Sequence, residues 1–216
     1  MKLLQSFGPN PRMVRMFIAE KGLSIRFESV DLFGAENRQE AYRKKNPAGG
    51  IPCLELDDGH VLSETGAICE FLEELHPAPA LIGSNAWERA ETRMNLRRVE
   101  LQATEYLYNA FRFGPGLALF EHRFRCVPEA ADGLRAKGLD GVALLDSMLE
   151  GQTYVCGERL TVADLALFCC LDFCLSTGLV IDPALTNIST WLARMDARPS
   201  ASASLSAGWQ DIGMKG

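Results

Sequence analysis

Every strand-like pattern in this chain lies before residue 64, and almost everything after Ala86 reads as helix. Between the two regimes runs His76-Pro77-Ala78-Pro79-Ala80-Leu81-Ile82-Gly83-Ser84, whose two prolines bar a helix. This one-sided distribution calls for a small sheet-bearing domain followed by an all-helical one, an α+β/α organisation. The expected boundaries are residues 1–76, a linker at 77–84, and residues 85–216.

Residues 2–7 form a short apolar run, read as a strand, which Gly8-Pro9-Asn10-Pro11 then breaks. Asn10 suits a helix N-cap and Pro11 a first helical position. Met13/Phe17 and Val14/Ile18 repeat at i, i+4, so a helix runs from Pro11 and stops at Lys21-Gly22. Ile25 and Phe27 alternate with Arg26 and Glu28, which predicts a second strand, and a short helix is expected over Glu36–Lys44. Ile51 to Leu56, Asp57-Asp58-Gly59-His60 and Val61-Leu62 read as a β-hairpin around an Asp-Gly turn. Ser63-Glu64-Thr65 then opens a helix with Ile68, Phe71, Leu72 and Leu75 on one face. The crossover implies a parallel pair and the hairpin an antiparallel one, so the four-stranded sheet is mixed.

The second domain opens with a long amphipathic stretch from Ala86 to about Phe113, and a second covers about 128–149. Leu165–Leu175 is apolar on almost every side, the mark of a central buried helix. Thr161-Val162-Ala163-Asp164 at its start has capping-box spacing and is assigned to folding rather than chemistry. Trp191 and Met195, at i and i+4 in a last helix over about 185–197, are read as core.

Composition narrows the function classes. The 216 residues are 47% hydrophobic and 23% charged, with a formal charge of −6. A net acidic chain without a basic run is poorly suited to nucleic acid or to an anionic membrane surface. No apolar run reaches the ~18–20 residues that span a bilayer. The opening Met1-Lys2-Leu3-Leu4-Gln5-Ser6 breaks after two leucines, too short for a signal-peptide core. Seven cysteines, an odd number without Cys-x-x-Cys spacing, suit reduced thiols in the cytoplasm. His60, His76 and His122 stand without second ligands at useful spacing, so no metal site is expected.

Several motifs resemble the cytosolic glutathione transferases, of bacterial type. They are Asn10-Pro11-Arg12-Met13-Val14-Arg15 closing in Ala19-Glu20-Lys21-Gly22, then Asn46-Pro47-Ala48-Gly49-Gly50-Ile51-Pro52, then Leu62-Ser63-Glu64-Thr65 with Ala67-Ile68, then Leu81-Ile82-Gly83, and Thr161 with Asp164-Leu165. The resemblance spans essentially the whole chain. It implies an N-terminal thioredoxin-like domain and an enzyme that uses glutathione as co-substrate against a hydrophobic electrophile. It further implies a homodimer, for which Arg93, Arg97 and Arg98 could meet Glu70, Glu73 or Glu74 of a second copy.

The resemblance also assigns residues. Pro52 would follow a cis bond, aiming the main chain of Ile51 at glutathione; a plain strand start is the alternative. Glu64 and Thr65 would grip the γ-glutamyl end, against the alternative of a solvated charge and an ordinary N-cap. Relatives place a Tyr, Ser or Cys near the first strand–helix junction, but here that position is Gly8. Asn10 and Ser6 are the remaining candidates for the thiol, with capping the alternative role of Asn10 and a contact-free strand end that of Ser6. Gly50 stands where relatives carry a Lys or Gln against the tripeptide's glycyl carboxylate, so that contact either comes from elsewhere, with Lys44 or Lys45 as candidates, or is lost. Tyr106, Phe113, Phe120 and Trp209 are candidates for the second-substrate pocket between the domains, with core packing as the alternative. Rival activities are a glutathione-dependent disulfide reductase or peroxidase, or a non-catalytic interaction module.

Overall fold

Leu3 and Leu4 leave opposite faces of the first strand, and that alternation organises the N-terminal domain. In the computed structural model, which describes residues 1–216, β1 (Lys2–Gln5) lies parallel to β2 (Arg26–Ser29) and antiparallel to β3 (Cys53–Glu55). β3 pairs in turn with β4 (Val61–Ser63), giving a mixed sheet of order β2-β1-β3-β4. Leu3 and Leu54 enter the main core beneath α1 (Pro9–Glu20) and α3 (Thr65–Leu75), while Leu4 and Cys53 meet Val30 and Tyr42 on the other face. β2 is one of the two edge strands, and Phe27 is left exposed there despite its apolar alternation. An edge strand packs on one side only, which a period-2 pattern does not reveal. The stretch expected as one short helix is a turn of 3₁₀ helix at Glu36–Arg38 followed by α2 (Glu40–Arg43).

The helical domain comprises α4 (Ala86–Val99), α5 (Glu105–Phe113), α6 (Leu117–Phe120), α7 (Ala131–Met148), α8 (Val162–Ser176), α9 (Thr186–Asp196), α10 (Pro199–Ala203) and α11 (Trp209–Ile212). The first long amphipathic stretch is therefore divided: a π-helical turn at Glu100–Thr104 joins α4 to α5. α8 is the central helix, buried continuously from Val162 to Cys174. Its capping box forms, and Asp164 also accepts from Trp191 Nε1 at 3.0 Å and from the Val155 N–H at 2.8 Å. One continuous core of 34 buried residues runs from Leu3 through α8 to Trp191 and Ala201. No helix is long and apolar enough to cross a membrane.

Buried charges fasten the two domains together. Lys21, at the end of α1, pairs with Glu73 of α3, both fully buried, and donates to the carbonyls of His76 and Pro79 at 2.6 Å. Glu73 accepts from the Leu81, Ile82 and Gly83 N–H groups, so this pair holds the linker. On α1, Arg12 donates to Asp172 of α8 at 2.6 Å, and Arg15 to the Ser204 carbonyl at 2.8 Å. The ion pairs offered above as a dimer seam close within the chain instead. Arg93 meets Glu70, Arg97 meets Glu100, Arg98 bonds Asn95, and Glu73 is spent on Lys21.

Candidate functional site

The site begins where β1 gives way to α1. Gly8 occupies the N-cap position with φ 128°, a conformation that disfavours any side chain, although a Cβ there would meet nothing nearer than 3.8 Å. Backbone conformation, not space, is what disfavours a hydroxyl- or thiol-bearing side chain at this position. Asn10 is not the cap, contrary to the sequence reading: it is the second helical residue and makes no capping bond. Pro9 takes the first position instead, since its ring fixes the same φ and its absent N–H costs nothing there. Pro9 and Pro11 carry no N–H, and that of Arg12 goes to the Gly8 carbonyl at 3.1 Å. The only main-chain donor left in the first turn is that of Asn10.

Beside this turn lies the loop 46–52. Its Gly50 carbonyl accepts from Tyr42 Oη at 2.7 Å and Asn46 Nδ2 at 3.0 Å, and the Gly49 carbonyl accepts from Asn37 Nδ2 at 2.6 Å. Those bonds fix the loop from behind. Ile51–Pro52 is cis, and neither the N–H nor the carbonyl of Ile51 has a partner in the chain. Cys53 lies behind the loop, 3.2 Å from Tyr42 Oη, and burial pushes its thiol pKa up, which keeps it a neutral packing group. The pairing Cys53↔Ser63 is the last of the β3–β4 ladder, so Ile51–Pro52 and Glu64–Thr65 adjoin the same end of the sheet. Glu64 is exposed at the N-cap of α3 with φ 68°, a left-handed conformation rare for this residue, and no side chain caps that helix. Strain of this kind costs on the order of 1–3 kcal/mol and gathers at binding sites. Thr65 is thus the first helical residue rather than the cap.

A cavity of about 190 Å³ opens between this edge and the helical domain. Gly8, Asn10, Asn37, Arg38, Gly50 and Ile51 line the sheet side. Tyr108, Phe111 and Arg112 of α5, Phe120 of α6, Arg123, Phe124 and Phe173 form the opposite wall, and Met214 of the C-terminal segment closes one end. Of the sequence candidates for the second pocket, Phe120 alone lines it. Tyr106 and Phe113 fall off the stripe that 108, 111 and 112 make at helical spacing, and the Tyr106 ring faces the Lys137 ammonium at 5.1 Å. Trp209 sits beside Lys215 instead. Ser6 does not line the cavity: Phe7 and Gly8 do, and the Ser6 carbonyl accepts from Arg15 at 3.1 Å. Lys44 and Lys45 are engaged with Glu40 and Glu55, away from the cavity. Two buried polar atoms on the wall lack partners, Asn37 Oδ1 and Arg38 Nε.

Residues 7–75 match the model for the glutathione S-transferase N-terminal domain, and residues 117–199 that for the C-terminal domain. Glutathione S-transferase 2 of Saccharomyces cerevisiae is 30% identical over 200 residues, covering 89% of this chain and 84% of its own. The chain belongs to the glutathione S-transferase family. Glutathione S-transferase GstA of Escherichia coli O157:H7 is similar over 210 residues at 30% identity, 96% of this chain and 98% of that one. The crystal structure of Gtt2 from Saccharomyces cerevisiae superposes with a TM-score of 0.89 at 30% identity, covering 95% of this chain and all of that one.

In this transferase-family chain several cavity residues lie outside the set that the sequence singled out. Tyr108, Phe111 and Arg112 share one face of α5, a signal available from i, i+3, i+4 spacing. Asn37 and Arg38 gave no signal, because their role depends on the fold of loop 46–52 beside them.

Proposed function

We propose that the chain is a glutathione transferase that binds the tripeptide along the edge from Glu64 and Thr65, past Ile51, to the first turn of α1. The observation carrying this reading is the unpaired main chain of Ile51, set between the uncapped start of α3 and the aromatic cavity. The Glu64 carboxylate takes the ligand ammonium, while the Thr65 hydroxyl and N–H take the neighbouring carboxylate at the helix start. The Ile51 N–H and carbonyl pair with the cysteinyl backbone as an added strand would. The glycyl carboxylate falls to Arg38 beside Gly49 and Gly50, which also gives the buried Arg38 Nε–H an acceptor.

The sulfur then lies over the first turn of α1, where the Asn10 N–H and side-chain amide donate to the thiolate. Its proton leaves to solvent. The sulfur attacks an electrophilic carbon held against the aromatic wall, and the leaving group departs with its electron pair. Each unit by which the thiol pKa falls is worth about 1.4 kcal/mol of thiolate stabilisation.

Glu64→Ala is expected to weaken glutathione binding by about 2–3 kcal/mol, the worth of a charge-assisted hydrogen bond, with the fold intact. Titration calorimetry measures it, and an unchanged affinity would remove Glu64 from the site. Asn10→Asp is expected to raise the pKa of the bound thiol, because a carboxylate repels the thiolate. The same change leaves the helix start no weaker, since a negative charge is favoured there. Ultraviolet titration of the bound thiol reads this directly; a pKa that stays put means Asn10 does not face the sulfur.

A further inference from the structure

The cavity wall holds three guanidinium groups, Arg38, Arg112 and Arg123, and not one carboxylate, in a chain whose net charge is −6. None of the three forms an ion pair. Each instead lies over an aromatic ring: Arg38 over Phe124 at 5.9 Å, Arg112 over Tyr108 at 5.8 Å, and Arg123 over Phe120 at 5.5 Å. Arg112 also lies 6.0 Å from the Phe120 ring centre and donates to Asn109 Oδ1 at 3.1 Å. Ring faces favour a cation but leave its charge uncancelled. Burial, with Arg38 adding to it, draws the Arg112 and Arg123 pKa values below the ordinary guanidinium value, opposed at Arg112 by Tyr108 and Glu105 and at Arg123 by Asp31. Three like charges gathered around one apolar space repel one another, and an anion entering that space relieves the repulsion.

The positions divide the work. Arg38 belongs to the sheet side, where Nη1 donates to the Ala48 carbonyl at 3.3 Å, beside the loop that carries Ile51. Arg112 and Arg123 stand on the opposite wall, among Phe111, Phe120 and Phe173. We propose that Arg112 and Arg123 select the second substrate, and that it is an aromatic electrophile bearing a carboxylate. Its ring stacks on the phenylalanines and its carboxylate meets the two guanidiniums, whose planar donor fork suits it. This rests on the glutathione reading above, which assigns Arg38 to the tripeptide.

The test uses chloronitrobenzoate and its uncharged counterpart, chloronitrobenzamide, which present the same ring and the same leaving chloride. Glutathione is titrated first, and its failure to bind would count against the transferase reading itself. With the site then saturated by S-methylglutathione, which cannot react, each probe is titrated by calorimetry. The acid is expected to bind roughly tenfold or more tightly than the amide, the scale of one charge-assisted hydrogen bond. That preference is expected to vanish in the Arg112→Gln/Arg123→Gln double variant and to persist in Arg112→Lys/Arg123→Lys, which also serves should the first fold poorly. With unblocked glutathione the acid should release chloride as its carbon–sulfur bond forms. Equal affinity of the two probes, a preference that survives the double Gln variant, or exclusion of the acid by S-methylglutathione would each overturn the proposal. The last outcome would hand all three arginines to the tripeptide.

Discussion

Glu73→Leu is expected to cost about 3–5 kcal/mol of folding stability, which is the range for breaking a buried ion pair from one side. The change strands the Lys21 ammonium in a fully buried position, left with only the His76 and Pro79 carbonyls. It also orphans the N–H groups of Leu81, Ile82 and Gly83, and the new methyl groups can satisfy none of them. For a chain of this size the thermal midpoint should fall by roughly 10 °C. Because both partners reach into the linker, the loss should come with a looser seam between the domains, visible as faster amide exchange over residues 76–83. A midpoint within about 1 °C of the parent would show that the linker is held by its apolar contacts alone. Lys21→Met separates the contributions: it removes the trapped charge but leaves Glu73 its three backbone donors, and it should cost less.

Gly141→Ala is expected to be the most damaging change that adds only one carbon. In a helix interior this substitution ordinarily gains about 1 kcal/mol of propensity. Here the new Cβ would stand 1.8 Å from the Gln102 carbonyl oxygen, a main-chain atom that cannot swing aside. Helix α7 must back away from the π-helical turn, and a displacement of that kind in a packed core costs typically 1–3 kcal/mol, occasionally more. The clash should win, with a net loss of about 2 kcal/mol or more in a denaturant melt. Function should suffer as well, since the same turn leads into α5 and sets the direction of Tyr108, Phe111 and Arg112. A variant as stable as the parent would mean that α7 slides without cost. Gly133→Ala, whose Cβ would meet nothing within 4 Å, provides the helix-propensity control.

How much of this was legible in the sequence follows from the range of each interaction. Strand alternation, the Asp-Gly hairpin, the proline-barred linker and the Thr161–Asp164 box are local, and they carry the mixed sheet and the buried central helix. The N-cap of α1 is Gly8, two residues before the Asn10 that side-chain chemistry favours. The choice between them rests on a φ that only the folded turn sets. Only Phe120 of the aromatic wall is legible in the sequence, because α5 carries aromatic residues around much of its circumference and composition does not say which side faces the gap. Met214 and the partnering of Arg12 and Arg15 with the segment around Ser204 join residues about 190 apart in the chain. No periodicity reports contacts of that separation.

The doubled proline at the start of α1 has a consequence for what kind of anion the turn can hold. Sites that cradle phosphate present a row of converging N–H groups, several donors for several oxygens. Pro9 and Pro11 delete two members of that row, and Arg12 has given a third to Gly8. An oxyanion arriving here would shed its hydration at three or four oxygens and recover one main-chain bond. A single soft atom with diffuse charge gives up far less water and asks for fewer donors. The first turn thereby favours sulfur over phosphorus oxyanions by subtraction, through the donors that its prolines withhold.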